Sequence, residues 1–262
     1  MTESALSPLP FGSEGRPEGV GAALRVGGIV EASSCHLVAQ SVRLHEAPAF
    51  GSLVRVPIAP AADPHPPATG GRGGQLPPEL EGREGKLPRE LGGRGPLATD
   101  PTELYAIVAE TRTASLEAGG RPIARGHEDV VDAAIYRENP DLEHVLRTEF
   151  KALLVGFCAG GGLRQHLPPL PPPLHYSVYA CTPPEVVAFT ERLDFLRTLL
   201  AAPPGLADEL AAASARAAAA ARGAAGEAFL LRVGRELAVL LRDDYDRLTA
   251  VLRRLRPSET RG

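Results

Sequence analysis

Tryptophan is absent from this 262-residue chain, and aromatic residues make up only 5% of it. Few flat side chains are therefore available to stack unpaired bases. Lys86 and Lys151 are the only lysines, and the formal net charge is −4, so no general electrostatic pull toward nucleic acid or anionic lipid exists. No apolar run reaches the roughly 18 residues that a membrane-crossing helix needs. The first residues, MTESALSPLPFGSEG, lack a basic region followed by an apolar core, so no secretory signal is expected. The expected location is cytoplasmic.

Cysteine is scarce. Cys35, Cys158 and Cys181 lie far apart with no CxxC pair, a pattern of free thiols in a reducing compartment. The sharper alternative is a zinc site drawn from Cys35, His36, Cys158, His166 and Cys181. Structural zinc sites pair their ligands at short spacing, which this sequence does not do, so the cysteines read as small core hydrophobes.

Catalytic motifs are missing as well. No GxxxxGK[ST] phosphate loop occurs; the segment Gly82 to Lys86 (GREGK) has neither the spacing nor the following hydroxyl. Gly160-Gly161-Gly162 runs on into prolines rather than a helix N-terminus. GxSxG and HExxH are absent. His36, His127, His144 and Cys35 form no nucleophile–base pair defensible from spacing. The acidic groups Glu128-Asp129 and Asp243-Asp244-Asp246 read as solvated surface. No catalytic, cofactor-binding or metal-ligating residue is assigned, and the chain reads as non-enzymatic.

What is present is architecture. Residues 1–22 are rich in Ser, Pro, Gly and Glu and are expected to be disordered. The runs 24–32 (LRVGGIVEA), 35–44 (CHLVAQSVRL) and 52–58 (SLVRVPI) read as short antiparallel strands. The paired glycines Gly27-Gly28 suggest a bulge, and Pro57 suggests an exposed edge. Residues 59–100 are dominated by Pro, Gly and charge and contain the near-repeats LPPELEGREGK and LPRELGGRG. They are expected to be a disordered insertion. The strand pattern resumes at 104–111 (LYAIVAET). A short helix is expected over His127–Arg137, and a second after Asn139-Pro140, with Asn as cap.

The stretch from Thr148 to Thr182 organises the rest. It holds a nearly continuous apolar strand (FKALLVGF), a glycine turn, a proline-rich crossing (HLPPLPPPLH) and a second strand (YSVYA). Beyond it, Thr182-Pro183-Pro184-Glu185 is a helix start with cap and capping-box residues in place. The spacing predicts one helix over 183–202 and an alanine-rich, weakly packing helix over about 206–221. A long helix follows from Glu227 to Leu255, with Leu237, Leu241, Tyr245, Leu248, Leu252 and Leu255 at spacings of four and three. That stripe serves either a dimer seam or packing on the 183–202 helix. Residues 258–262 read as a tail.

The expected fold is α+β: a small antiparallel β-barrel over 23–182 with inserted short helices, then a C-terminal α-helical region over 183–257. Three segments, VGGIVEASSCHLVAQSVRL…GSLVRVPI, LYAIVAETRT and TEFKALLVGF…LPPLPPPLHYSVYACTPPEV, together resemble the HAS barrel. This is the N-terminal barrel of HerA-type DNA-translocating ATPases and of rotary ATP synthase α and β subunits. In those families the barrel is not the catalyst; it helps subunits form a ring and, in HerA-like proteins, docks partners such as a NurA-type nuclease. After Thr182 the pattern departs from the family, because helices replace the RecA-like core and its phosphate loop, so ATP hydrolysis does not carry over. The resemblance implies an assembly protein associated with a HerA-type ATPase or its nuclease, with homo-oligomers as a further form of assembly. The alternative is a barrel that binds single-stranded nucleic acid, disfavoured by the acidic balance and the shortage of aromatics.

Overall fold

Alternating apolar residues make short strands that must bury one face. Here they do so by closing on themselves. The computed structural model describes residues 23–58, 101–117, 120, 132–203 and 205–255. The expectations for the N-terminal segment, the insertion 59–100, His127, Glu128-Asp129 and the C-terminal tail fall outside the described residues. The strands are β1 (Arg25–Ala32), β2 (His36–Ser41), β3 (Leu53–Pro57), β4 (Pro101–Ser115), β5 (Leu146–Ala159), β6 (Gly162–Arg164) and β7 (Ser177–Ala180). They pair in the order β2-β1-β7-β3-β4-β5-β6, and a further pairing of β2 with β5 closes a six-stranded antiparallel barrel. Strand β6 lies outside the ring, joined to β5 by a tight turn at Gly160-Gly161, both with positive φ.

Irregularities in register bracket Gly27 and Ile29 in β1, the bulges its glycines suggest. Pro57 does not mark an edge strand. Strand β3 pairs with β4 on one side and β7 on the other, and the pairing with β7 reaches only Val54 and Arg55. Proline is tolerated because it sits at the strand end, where that ladder has already stopped.

The barrel is filled by Ile29, Leu37, Val54, Leu104, Phe150 and Val178, all within 1% of complete burial. Its outer wall on β3, β4 and β5 is buried too. Leu53, Tyr105, Ile107, Val155 and Cys158 belong to a second core shared with the helical region. This is why β4 and β5 read as unbroken apolar runs: both faces of the wall need apolar side chains. Each such side chain stabilises the fold by about 1.5–3 kcal/mol.

Two helices lie between β4 and β5: α1 (Asp132–Glu138) and α2 (Leu142–Val145). Asn139 closes α1 rather than opening α2, since its amide and side chain both donate to Ile135 O at 2.9 Å. After β7 come α3 (Pro183–Phe189), α4 (Phe195–Leu200), α5 (Ala207–Ala220), a 3₁₀ turn (Gly223–Ala225), α6 (Gly226–Leu240) and α7 (Tyr245–Leu255). The capping box at Thr182 and Glu185 is formed.

Three helix expectations need correction. The helix over 183–202 is broken at Thr190, whose hydroxyl bonds back to Val186 O at 2.7 Å. The buried Gln165 side chain bridges that break: Nε2 donates to Phe189 O at 2.6 Å, and Oε1 accepts from Phe195 N at 3.2 Å. The helix over 227–255 turns at Leu241–Asp244 and continues as α7, with Asp244 accepting from Arg247 N at 3.1 Å as its cap. Both α6 and α7 pack chiefly on α5, and they touch the 183–202 segment through Arg232, which donates to Thr190 O at 3.0 Å, and Arg247, which donates to Leu200 O at 3.2 Å. Finally, α5 is the most enclosed helix. Leu210, Ala211, Ala212, Ala215 and Ala218 are at most 1% exposed, because small side chains let neighbours approach closely instead of packing weakly.

Candidate functional site

Two features meet where the barrel wall faces the helices: a charged cluster and a groove. In strand β3, Arg55 is the one ionised residue of LVRVP, and its side chain is 11% exposed. Its Nη1 lies 2.5 Å from Glu103 Oε1 on β4, and its Nε lies 3.1 Å from Glu185 Oε1 on α3. The second contact is an ion pair without hydrogen-bond alignment, since Nε has no aligned acceptor. Tyr105 donates its hydroxyl to Glu103 Oε2 at 2.7 Å. The guanidinium carbon of Arg55 stands 5.5 Å from the Tyr179 ring centre. Glu185 Oε2 accepts from Thr182 N at 2.7 Å and from its hydroxyl at 2.9 Å.

One arginine thus ties β3, β4 and the start of α3 together, and each carboxylate is held by a second donor. Burial pulls the Arg55 pKa down, but the Glu103 and Glu185 carboxylates outweigh it and the net shift is upward. Burial, reinforced by Glu103, pushes Tyr105 far up. Burial and the same carboxylate push the Cys158 thiol up to about 11. Burial, then Glu185, holds Cys181 well above its ordinary value, with Arg55 opposing. These groups stay in fixed charge states near neutrality. The cluster is suited to holding two layers in register.

Beside it, a cavity of about 680 Å³ opens between the barrel and the helices. Its floor includes Leu53 of β3, Ile107 of β4, Val186 of α3 and Phe195 of α4, with Ala217 of α5 along one side. Arg25, Arg43 and Glu46 stand among its lining residues. The loop leading to β3 reaches this seam through Gly51, whose φ is +83° and whose added Cβ would stand 2.7 Å from Ala213 Cβ and 2.8 Å from backbone atoms of Ala213 and Ser214.

Away from the seam, the β1–β2 turn collects Glu31, Ser33, Cys35 and His36. Ser33 Oγ is 2.8 Å from His36 Nδ1 and also serves as a turn acceptor for His36 N at 3.1 Å. Cys35 Sγ is 3.5 Å from His36 Nδ1, and Glu31 lies 3.5 Å from Nε2. Cys35 and His36, which spacing alone did not pair, are therefore neighbours, but Ser33 holds the imidazole as part of the turn. The zinc alternative is not assembled. Cys35 is exposed, Cys158 is buried in the core and Cys181 is half-buried, while His166 stacks edge-on against Phe157 at 5.1 Å. Among the described residues no group of three His, Cys, Asp or Glu side chains is placed to hold a metal.

Several arginines of the helical region are engaged within the chain. Arg222 lies over the Phe229 ring at 3.8 Å and donates to Thr190 Oγ1 at 2.7 Å. Arg232 donates to Thr190 O at 3.0 Å. Arg247 pairs with Asp208 at 2.7 Å, and Arg254 pairs with Glu209. The acidic run on the same segment is divided between capping, by Asp244, and an exposed pair of Asp243 with Arg242 at 3.2 Å. His144 falls in the last turn of α2.

Sequence reasoning missed Arg55, Glu103, Gln165 and Gly51. A lone arginine in an apolar strand, with a glutamate two residues before a buried tyrosine, was the available signal for the first two. Gln165 carried none, because its partners are 24 and 30 residues away. No helix among the described residues is long and apolar enough to cross a membrane. No protein-family model matches the chain, and no curated protein matches it either.

Proposed function

We propose that this is a non-catalytic assembly protein, a six-stranded barrel joined to a helical region that together present a docking surface to a protein partner. The partner class suggested by the likeness to the HAS barrel is a HerA-type DNA-translocating ATPase or its associated nuclease. One observation carries the reading: the barrel is filled with its own side chains while the seam beside it is open and largely apolar. A filled small barrel is a scaffold rather than a ligand chamber. The charged cluster under the seam also supports it, since Arg55, Glu103 and Glu185 are paired with one another. The net charge of −4 and the 5% aromatic content favour a protein partner over nucleic acid, which needs a positive face and flat side chains for stacking.

The test is affinity purification of the tagged full-length protein from its native cell, followed by mass spectrometry. It is repeated with residues 61–98 deleted. Specific recovery of a translocase or nuclease supports the proposal, and the deletion reports whether that segment contributes. Specific recovery of neither class, together with a salt-dependent mobility shift of single-stranded DNA, would replace it with the nucleic-acid reading.

A further inference from the structure

We infer that the groove at the barrel–helix seam is the docking site itself, and that its occupant is a short partner segment with large apolar side chains flanked by acidic residues. This rests on the proposed assembly role and specifies its chemistry. Three observations converge. The floor is apolar, formed by Leu53, Ile107, Val186 and Phe195. The apolar surface does not stop at the floor, because Leu24 and Val42, also lining the cavity, are 69% and 58% exposed. Side chains of that size standing in water at the mouth of an apolar cavity extend it into a strip that a peptide can follow.

The third observation is charge. Arg25 and Arg43 stand in the lining with Glu46 as its acidic member. Glu46 is engaged by Arg43 at 3.4 Å in a pair whose side chains are 74% and 65% exposed. An exposed pair of that length holds its partners weakly, so a carboxylate from an incoming segment can take up the guanidinium. Arg25 adds a second positive group to the lining. Complementary charge at a rim sets orientation and association rate, while the apolar floor supplies the attraction. The volume of about 680 Å³ falls within the range of sites that enclose a compact ligand, and accommodates a few side chains rather than a whole helix.

The walls are rigid where it matters. Val186 belongs to the capped helix α3, Phe195 is fixed by Gln165 through the amide that opens α4, and Leu53 and Ile107 face each other across the β3–β4 ladder. A site built on such elements is largely pre-formed, which reduces the ordering cost of binding.

The experiment uses the full chain and a fluorescein-labelled synthetic peptide with two leucines a helical turn apart, flanked by aspartates. Control peptides replace the leucines with serine or the aspartates with lysine. Fluorescence anisotropy is expected to show saturable binding of the first peptide alone. The double variant Arg25→Glu/Arg43→Glu should weaken it roughly tenfold and flatten its salt dependence. Ala217→Phe, which fills the groove from α5, should abolish it. Val42→Glu, at an exposed position that leaves the core untouched, should weaken it without affecting the fold.

Binding indifferent to all three variants would overturn the assignment of the groove. So would failure of the acidic peptide to bind while affinity purification still recovers a translocase or nuclease, an outcome that leaves the assembly role standing. A synthetic peptide matching residues 1–22 of this chain, which contains Leu6, Leu9 and Phe11 with Glu3 and Glu14, is added as a competitor. Its displacing the probe at lower concentration than unlabelled acidic peptide would make this chain the occupant and overturn the commitment to a partner.

Discussion

Arg55 shows how much one side chain in the seam carries. Truncation to alanine would leave Glu103 and Glu185 facing each other without their shared cation, and the expected loss is about 3 kcal/mol in urea unfolding. The variant Arg55→Met/Glu103→Gln removes both charges of the closer pair and should recover part of that loss, since only Glu185, still held by Thr182, is left without its cation. The thiols make a second residue-scale case. Cys158 titrates near 11 in the folded chain, against an ordinary value of 9.0. Below pH 9 both folded and unfolded thiols are protonated and stability is unaffected. As pH rises from 9 toward 11 the unfolded chain loses its proton while the folded chain keeps it, so stability falls, by about 2 kcal/mol from this group. Chemical denaturation at several pH values checks this, and Cys158→Ala should remove this share of the fall, leaving the shares of Cys181 and Tyr105, whose pKa values are also raised. Cys35, exposed at the hairpin tip, should react with a disulfide reagent in the native protein, leaving Cys158 and Cys181 to react only on unfolding.

At the scale of elements, the alanine-rich helix α5 is the piece on which the others are assembled. Its lack of bulk permits Gly51 to meet the helix backbone directly, with only 2.7–2.8 Å available to an added Cβ. Gly51→Ala combines that overlap with an unfavourable positive φ and should destabilise by about 2–4 kcal/mol. Gly161→Ala provides the contrast. Gly161 also has positive φ, at +75°, but nothing lies within 4 Å of its added Cβ, so about 1 kcal/mol is expected. The difference between the two urea midpoints measures the close approach itself. Gln165→Leu should cost about 2–4 kcal/mol, because the broken helix over 183–200 would lose the bonds to Phe189 and Phe195 in a buried setting. A cost no larger than that of a surface substitution would mean the break is satisfied in another way.

For the whole molecule, the barrel and helices share one wall. Tyr105, Ile107 and Val155 are 2% exposed or less only because α3, α4 and α5 cover them, so the two regions should unfold in one cooperative transition. Near-ultraviolet and far-ultraviolet circular dichroism should give coincident curves, whereas two separated steps would show that the barrel is stable without its cover. The strand–turn–strand order and the helical character of the C-terminal half were legible in residues such as Gly160-Gly161 and Thr182–Glu185, whose effects are local. The candidate groove was not, because Arg25, Leu53, Val186 and Ala217 are brought together only by folding.

The sequence by itself determined where the barrel strands β1–β5 and β7 fall, that the C-terminal half is helical, where α3 begins, and that β5 must be enclosed. Those properties follow from periodicity, capping and backbone preference within a few residues. Tertiary structure alone decided that β2 meets β5 to close the ring, that the leucine stripe of 237–255 bends at Leu241–Asp244 to fold onto α5, and that Arg55 finds Glu103 and Glu185. Each depends on contacts between residues far apart in the chain, where the gain from burying shared apolar surface selects among arrangements that local preference leaves equivalent.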